Sequence, residues 1–243
     1  MHQRLADSIF RIVCGQSSGS GFSFRSDAIV ITNHHVIEAH LVAGQPIIAV
    51  TEGGQQFQTK LLSHSDKSQY DFAILEIRGP LPAGRNVLLP KPNQSTSRGE
   101  RIAFAGFPHG IHDLLVHEAI ISGPVNDHAF YIDGSVNGGN SGGPIVDVNT
   151  GGIIGIVTQR RFLGGQSLQQ LGLQVSQLSQ QCAGIANRGS VQIMGIDFGG
   201  FANMMAQGFG AMSQVIEANA NSGIGIGFKI EFVNQEFERL GLK

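Results

Sequence analysis

Three short stretches carry side chains that can do chemistry together: ITNHHV (31–36), QYDFAIL (69–75) and VNGGNSGGP (136–144). In chain order they present His35, Asp71 and Ser141. A serine hydroxyl is a weak nucleophile at neutral pH. It needs a base to take its proton and a carboxylate to hold that base in one tautomer. With His35 as base and Asp71 as carboxylate, the chemistry would be attack on an acyl carbon through a covalent intermediate. Glycines on both sides of Ser141 permit a sharp turn that aims the N–H groups of Gly139 and Ser141, with Asn140 between them, at one point. Donors so placed lower the barrier to acyl transfer by about 2.7–4 kcal/mol each.

Taken singly, each stretch is ordinary: a loop histidine, the start of a strand, a glycine turn. Their joint order makes the reading, with His35 and Asp71 separated by 36 positions and Asp71 and Ser141 by 70. His34 is the rival base. His109, His112, His117 and His128 invite a metal reading, but they fall on loop and strand rather than on one helical face. No metal and no cofactor are expected.

The elements that must position these residues read as all-β up to about Arg161. Candidate strands at 8–14, 19–25, 28–33, 46–52, 57–64 and 72–77 precede a Pro/Gly-rich connection at 79–92. Others follow at 101–107, 114–122, 129–135, 144–148 and 152–161. Many short strands with Gly, Pro, Asn and Asp between them favour a sandwich or barrel. From Phe162 the character changes. Residues 162–228 hold only Arg188, Asp197 and Glu217 as charges, against 31 in the other 176 positions. Leu168, Leu171, Val175, Leu178, Cys182 and Ile185 recur at alternating steps of 3 and 4, a helix stripe. A second apolar stretch, 201–216, completes a hairpin. IGIGFKIEFV (224–233) reads as strand again, supplying a sixth strand to the second set, and NQEFERLGL (234–242) as a short terminal helix. The domain expectation is therefore 1–161 with 223–243, interrupted by a helical insertion at 162–222.

Composition narrows the partners. Lys and Arg number 16 against 18 acids, a net charge of −2, which gives no footprint for nucleic acid or an anionic membrane. No apolar run approaches the roughly 18 residues of a membrane helix. Cys14 and Cys182 stand 168 positions apart with no metal or redox spacing, which fits a reducing compartment, and a cytoplasmic location is expected.

The motifs T-N-H-H-V around His35, Y-D-F-A-I-L around Asp71 and G-N-S-G-G-P around Ser141 resemble those of the trypsin-like, double-β-barrel serine peptidases, and within them the HtrA branch. G-S-G-F (19–22), G-F-P-H-G (106–110) and I-G-F-K-I (226–230) extend the likeness over about 8–161 and 223–241. The resemblance implies two six-stranded antiparallel β-barrels of the chymotrypsin/trypsin type, with His35, Asp71 and Ser141 as triad and the 139–141 amides as oxyanion hole. It aligns the histidine before Val36 with the catalytic base. It also places the primary specificity pocket near Ser135, Val136, Ile156, Val157, Thr158 and Arg160. No Asp stands at the pocket base, so a small or medium apolar side chain is expected before the scissile bond; Arg160 or Arg161, if inward, would favour an acidic one.

Two departures from the pattern matter. Arg11-Ile12-Val13-Cys14-Gly15 imitates the activated terminus of secreted trypsins, yet Asn140 offers no carboxylate to an ammonium group, so Ile12 reads as a barrel residue and activation as loop ordering. HtrA proteins typically carry a C-terminal PDZ domain; no counterpart is expected within these 243 residues, and the 162–222 insertion stands in its place. The expected function is a serine endopeptidase acting on protein or peptide, regulated by loop ordering or by a homo-oligomeric or regulatory contact through 162–222. The alternatives are a catalytically silent peptide-binding scaffold, or an esterase on the same triad.

Overall fold

Side chains of successive strand residues point to opposite faces, and here most strands have an apolar environment on both. In β1 (Ile9–Cys14), Phe10, Ile12 and Cys14 enter one core while Ile9 joins another. This two-sided burial explains why the strands read as nearly continuous apolar runs. The computed structural model describes the chain except for residues 67, 93–95, 163, 164, 190, 194, 220 and 243, and gives backbone alone at 159–162, 165–169, 193, 196, 217–219, 221 and 222.

Along the chain, a one-turn α1 (His2–Ala6) leads into β1, β2 (Ser17–Phe24) and β3 (Ser26–Thr32). A 3-10 turn at His35–Ile37 and α2 (Glu38–Ala43) precede β4 (Ile47–Val50), β5 (Gln56–His64) and β6 (Ala73–Ile77). The next strands are β7 (Arg101–Gly106), β8 (Leu115–Pro124), β9 (Ala129–Asp133), β10 (Pro144–Asp147) and β11 (Ile153–Phe162). Then come α3 (Gly165–Ala186), the two-residue strands β12 (Gln192–Ile193) and β13 (Ile196–Asp197), α4 (Phe198–Asn219), β14 (Asn221–Lys229) and α5 (Glu231–Arg239). Two antiparallel barrels close in the orders β1-β2-β3-β6-β5-β4 and β7-β8-β9-β14-β11-β10. The strand that returns after the helices is thus the sixth of the second barrel, as the pattern of the sequence implies.

Each barrel has its own core, around Phe10, Val30 and Leu75 in the first and Phe104, Phe130 and Ile145 in the second. A third core lies between them, where Phe22, Phe24, Ile31, Ala105 and Ile156 meet Ile230, just before α5, and Val233 and Phe237 within it. That last contact corrects the end of the chain. The strand expected to run to 233 stops at Lys229, and Phe232 and Val233 belong to α5. Ile230, Val233 and Phe237 recur at helical steps of 3 and 4, which covers the inter-barrel core better than continued alternation would.

By contacts the chain divides into two units, Met1–Arg160 with Gly223–Lys243, and Arg161–Ser222. The second is an antiparallel helix pair. Ser179 Oγ donates to the Ala206 carbonyl at 2.9 Å, and a Cβ on Gly172 would lie 3.5 Å from Ile216, so small residues let the two backbones approach. No helix among the described residues is long and apolar enough to cross a membrane.

Candidate active site

The first barrel supplies His35 and Asp71. His35 opens the 3-10 turn after β3, and Asp71 lies two residues before the start of β6, the strand paired with β3. His35 Nδ1 lies 2.7 Å from Asp71 Oδ2, and the His35 backbone N–H donates to Asp71 Oδ1 at 3.1 Å. The carboxylate can only accept, so Nδ1 carries the proton and Nε2 is left with its lone pair. Asp71 is 1% exposed and takes a left-handed backbone, φ +45°, unusual outside glycine. Its carbonyl is held by Asn33 Nδ2 at 2.7 Å and by the His34 N–H at 3.3 Å.

His34, the rival base, turns elsewhere: its Nδ1 lies 3.2 Å from His64 Nδ1. Loss of hydration, then the neighbouring His34 charge, push the His64 pKa down, with Asp66 opposing.

The second barrel supplies Ser141, on the turn before β10. The turn is built around glycines for steric reasons. A Cβ on Gly139 (φ +91°) would come to 2.2 Å of the Phe107 carbonyl oxygen, and on Gly143 to 2.1 Å of that of Ala105. Ser20 fastens the turn to the first barrel: its N–H donates to the Ser141 carbonyl at 2.7 Å and its hydroxyl to the Gly139 carbonyl at 2.7 Å. Gly19 sits where a Cβ would strike Val36 and the Ser141 carbonyl. The G-S-G-F motif is therefore an inter-barrel clasp. The His109 N–H donates to the Gly138 carbonyl at 2.7 Å, and among the described residues neither Gly139 N–H nor Ser141 N–H has an acceptor. Asn140 is fully buried.

Ser141 Oγ donates to the Thr158 carbonyl at 3.0 Å, and the Thr158 hydroxyl donates to Asp71 Oδ2. Thr158 thus touches two of the three residues rather than facing a specificity pocket. The other pocket candidates separate. Ser135 is exposed; Val136, Ile156 and Val157 are at most 2% exposed and pack into the barrel and inter-barrel cores. Val136 presses on β14 where a Cβ at Gly225 would come to 2.3 Å of it. Arg160 lies in β11, with its side chain outside the described residues. Sequence reasoning overlooked Ser20 and the role of Thr158; the serine flanked by glycines at 19–21 was the available signal for the first.

The remaining histidines scatter. His117 stacks on Phe104, with centroids 4.8 Å apart, and loss of hydration lowers its pKa; His128 packs against Tyr70, Phe228 and Phe232. Both cysteines are free thiols.

Comparison with known proteins agrees with the double-barrel fold. A probable periplasmic serine endoprotease DegP-like of Brucella suis is 32% identical over 149 residues, covering 58% of this chain and 27% of that protein. The chloroplastic protease Do-like 1 of Arabidopsis thaliana is 31% identical over 159 residues, covering 59% and 33%. The chain therefore spans about a third or less of the length of these relatives. A serine endoprotease structure from Yersinia pestis superposes with a TM-score of 0.56 at 23% identity, over 66% of this chain and 58% of that one, a likeness of fold.

These names correct the expected cytoplasmic location, since relatives from Brucella suis and Pseudomonas putida are named periplasmic. Unpaired cysteines were a poor guide to compartment, because a double barrel with three cores does not depend on disulfides for stability. The pattern of the trypsin-like peptidase domain matches residues 19–156, more than half of the sequence, and the chain belongs to that family.

Proposed function

We propose that the protein is a serine endopeptidase of the HtrA/DegP type, with Ser141 as nucleophile, His35 as general base and Asp71 as its orienting carboxylate. The observation that carries this reading is the 2.7 Å contact of His35 Nδ1 with the buried Asp71, which leaves Nε2 as the ring's acceptor. On substrate binding the Ser141 hydroxyl leaves the Thr158 carbonyl, passes its proton to His35 Nε2 and attacks the peptide carbonyl carbon. Gly139 N–H and Ser141 N–H stabilise the oxyanion. The imidazolium then protonates the leaving amine, and water completes hydrolysis of the acyl-enzyme by the same route.

The resting contact between Ser141 and Thr158 supports control by ordering of the 137–141 loop. The preference for a small or medium apolar side chain before the scissile bond rests on the resemblance alone, since Val136 packs against Gly225 inside the barrel core. We assign 1–161 with 223–243 as the peptidase domain and 162–222 as an insertion in it; kinship with the DegP-like relatives favours a periplasmic location.

A fluorophosphonate probe is expected to label the wild type and not Ser141→Ala of equal circular dichroism. A folded wild type that stays unlabelled, with and without peptide substrate, would leave a peptide-binding scaffold as the reading.

A further inference from the structure

We infer that the helix pair α3–α4 is a self-association surface, through which two copies of the chain form a four-helix bundle. On α3, Leu171, Leu178 and Ile185 lie seven residues apart and are exposed; on α4, Phe198, Phe201 and Met212 are exposed as well, all six between 42% and 55%. At 100° per residue, the α3 stripe stands about a quarter turn from the line of Val175, Ser179 and Cys182 that faces α4. The α4 stripe stands about a quarter turn from Ala202 and Ala206, which face α3. Because the helices are antiparallel, these two rotations bring both stripes to the same side of the pair.

The opposite side presents Ser176, Gln180, Asn203, Gln207 and Gln214. Leu173 and Met204, each 61% exposed, lie on the outer edges of the pair, away from its seam; between those edges one side is rich in large apolar side chains and the other in polar ones, as in half of a four-helix bundle.

Size and charge identify the occupant. Aromatic side chains carry about 150–250 Å² each and aliphatic ones less, so six that are half covered leave on the order of 400–600 Å² open, the size of the smaller specific interfaces, which bury under about 1,200 Å² in total. Single exposed apolar residues need no partner; a contiguous face of this area is as large as the largest patches on monomers, about 300–600 Å², which are often functional. Selection of a different protein normally uses charges flanking the seam. Here α3 has no charged residue and Gln174 and Gln181 flank its stripe, so a second copy meets no repulsion and nothing selects a foreign chain. A bilayer surface is disfavoured, because interfacial helices bring Lys and Arg on their polar face and neither helix carries one.

The test is the mass of the full chain by light scattering across a concentration series. A dimer, or a multiple of it, is expected for the wild type, and a fall to half that mass or less for Leu171→Gln/Leu178→Gln with helicity retained. Val42→Gln, at a position 80% exposed on α2, should leave the mass unchanged. If the double variant loses helicity, Phe201→Gln/Met212→Gln reads the other helix in the same way. A wild type that is monomeric throughout, variants that keep the wild-type mass, or a monomer that sediments with phosphatidylcholine–phosphatidylglycerol vesicles would each overturn the inference. Fluorophosphonate labelling of Ser141 reads the barrels separately, so failure of this inference and failure of the peptidase reading give different results.

Discussion

The Thr158 carbonyl accepts the Ser141 hydroxyl at 3.0 Å while the Thr158 side chain donates to Asp71, so one residue of β11 bridges the two ends of the candidate triad. Removing the side-chain donor leaves the carboxylate with one partner fewer. Hydrogen bonds to charged groups contribute about 1.5–3 kcal/mol. Thr158→Val should therefore lower kcat/KM on a peptide substrate by roughly 10- to 100-fold, and Thr158→Ser should restore most of it. Equal activity of Thr158→Val and wild type in steady-state assays would remove Thr158 from the positioning of Asp71.

The serine turn tolerates no side chain at Gly142, where φ is +87° and a Cβ would lie 2.1 Å from the Ser20 carbonyl oxygen and 2.5 Å from Thr32 Oγ1. Gly142→Ala should cost on the order of 2–5 kcal/mol in urea unfolding, from backbone strain and overpacking together. Gly44 has φ +64° but open space around it. Gly44→Ala should cost only the left-handed penalty of about 1–2 kcal/mol.

These glycines show which parts of the molecule were legible beforehand. Gly-rich spacing around Ser141 announces a tight turn, and short, nearly continuous apolar runs bounded by Gly, Pro, Asn and Asp announce strands, because each depends on residues adjacent in sequence. The clasp made by Ser20 depends on how β2 meets the second barrel, and the position of Thr158 depends on which face of β11 looks toward Asp71; neither is local. Phe232 and Val233 were read as strand because IGIGFKIEF alternates without a break. Only the inter-barrel core, waiting to be covered by Ile230, Val233 and Phe237, decides for helix. In the hairpin, the 3-4 spacing of α3 locates a stripe, but Val175 at 4% and Leu178 at 42% exposed show that its members divide between two faces.

Acid should weaken the fold through His117. Its ring is stacked on Phe104, its Nε2 is buried without a partner among the described residues, and loss of hydration lowers its pKa below the ordinary histidine value of 6.5. Above that value both folded and unfolded chains hold it neutral. As pH falls through it, the unfolded chain binds a proton that the folded chain resists, so stability declines toward the lowered folded-state pKa. His64, lowered by desolvation and by His34, adds in the same direction. Melting temperature should drop from pH 7 to pH 5, and His117→Phe should flatten that slope; an unaltered slope in the variant would exclude His117 as its source.

The C-terminal helix is a stabilising lid on the inter-barrel core. Phe237 is 1% exposed and meets Phe24 edge to face at 5.7 Å, with the Arg25 guanidinium 5.4 Å from its ring centroid. Phe237→Ala should cost about 3–5 kcal/mol in chemical unfolding. Activity per folded molecule should stay near wild type at low temperature, since Phe237 touches none of the three candidate residues.

The position of β14 has a bearing on how the fold is completed during synthesis. When the ribosome has delivered β11, the nascent chain already contains His35, Asp71 and Ser141, yet only five of the six strands of the second barrel. Closure waits for β14, whose first residue, Asn221, follows Phe162 by 59 positions. At about 5–20 residues per second that is a delay of roughly 3–12 s. Translation itself therefore withholds a finished cleft until the whole insertion has been synthesised, and a chain truncated anywhere within 163–220 would carry every candidate catalytic side chain in a barrel that cannot close.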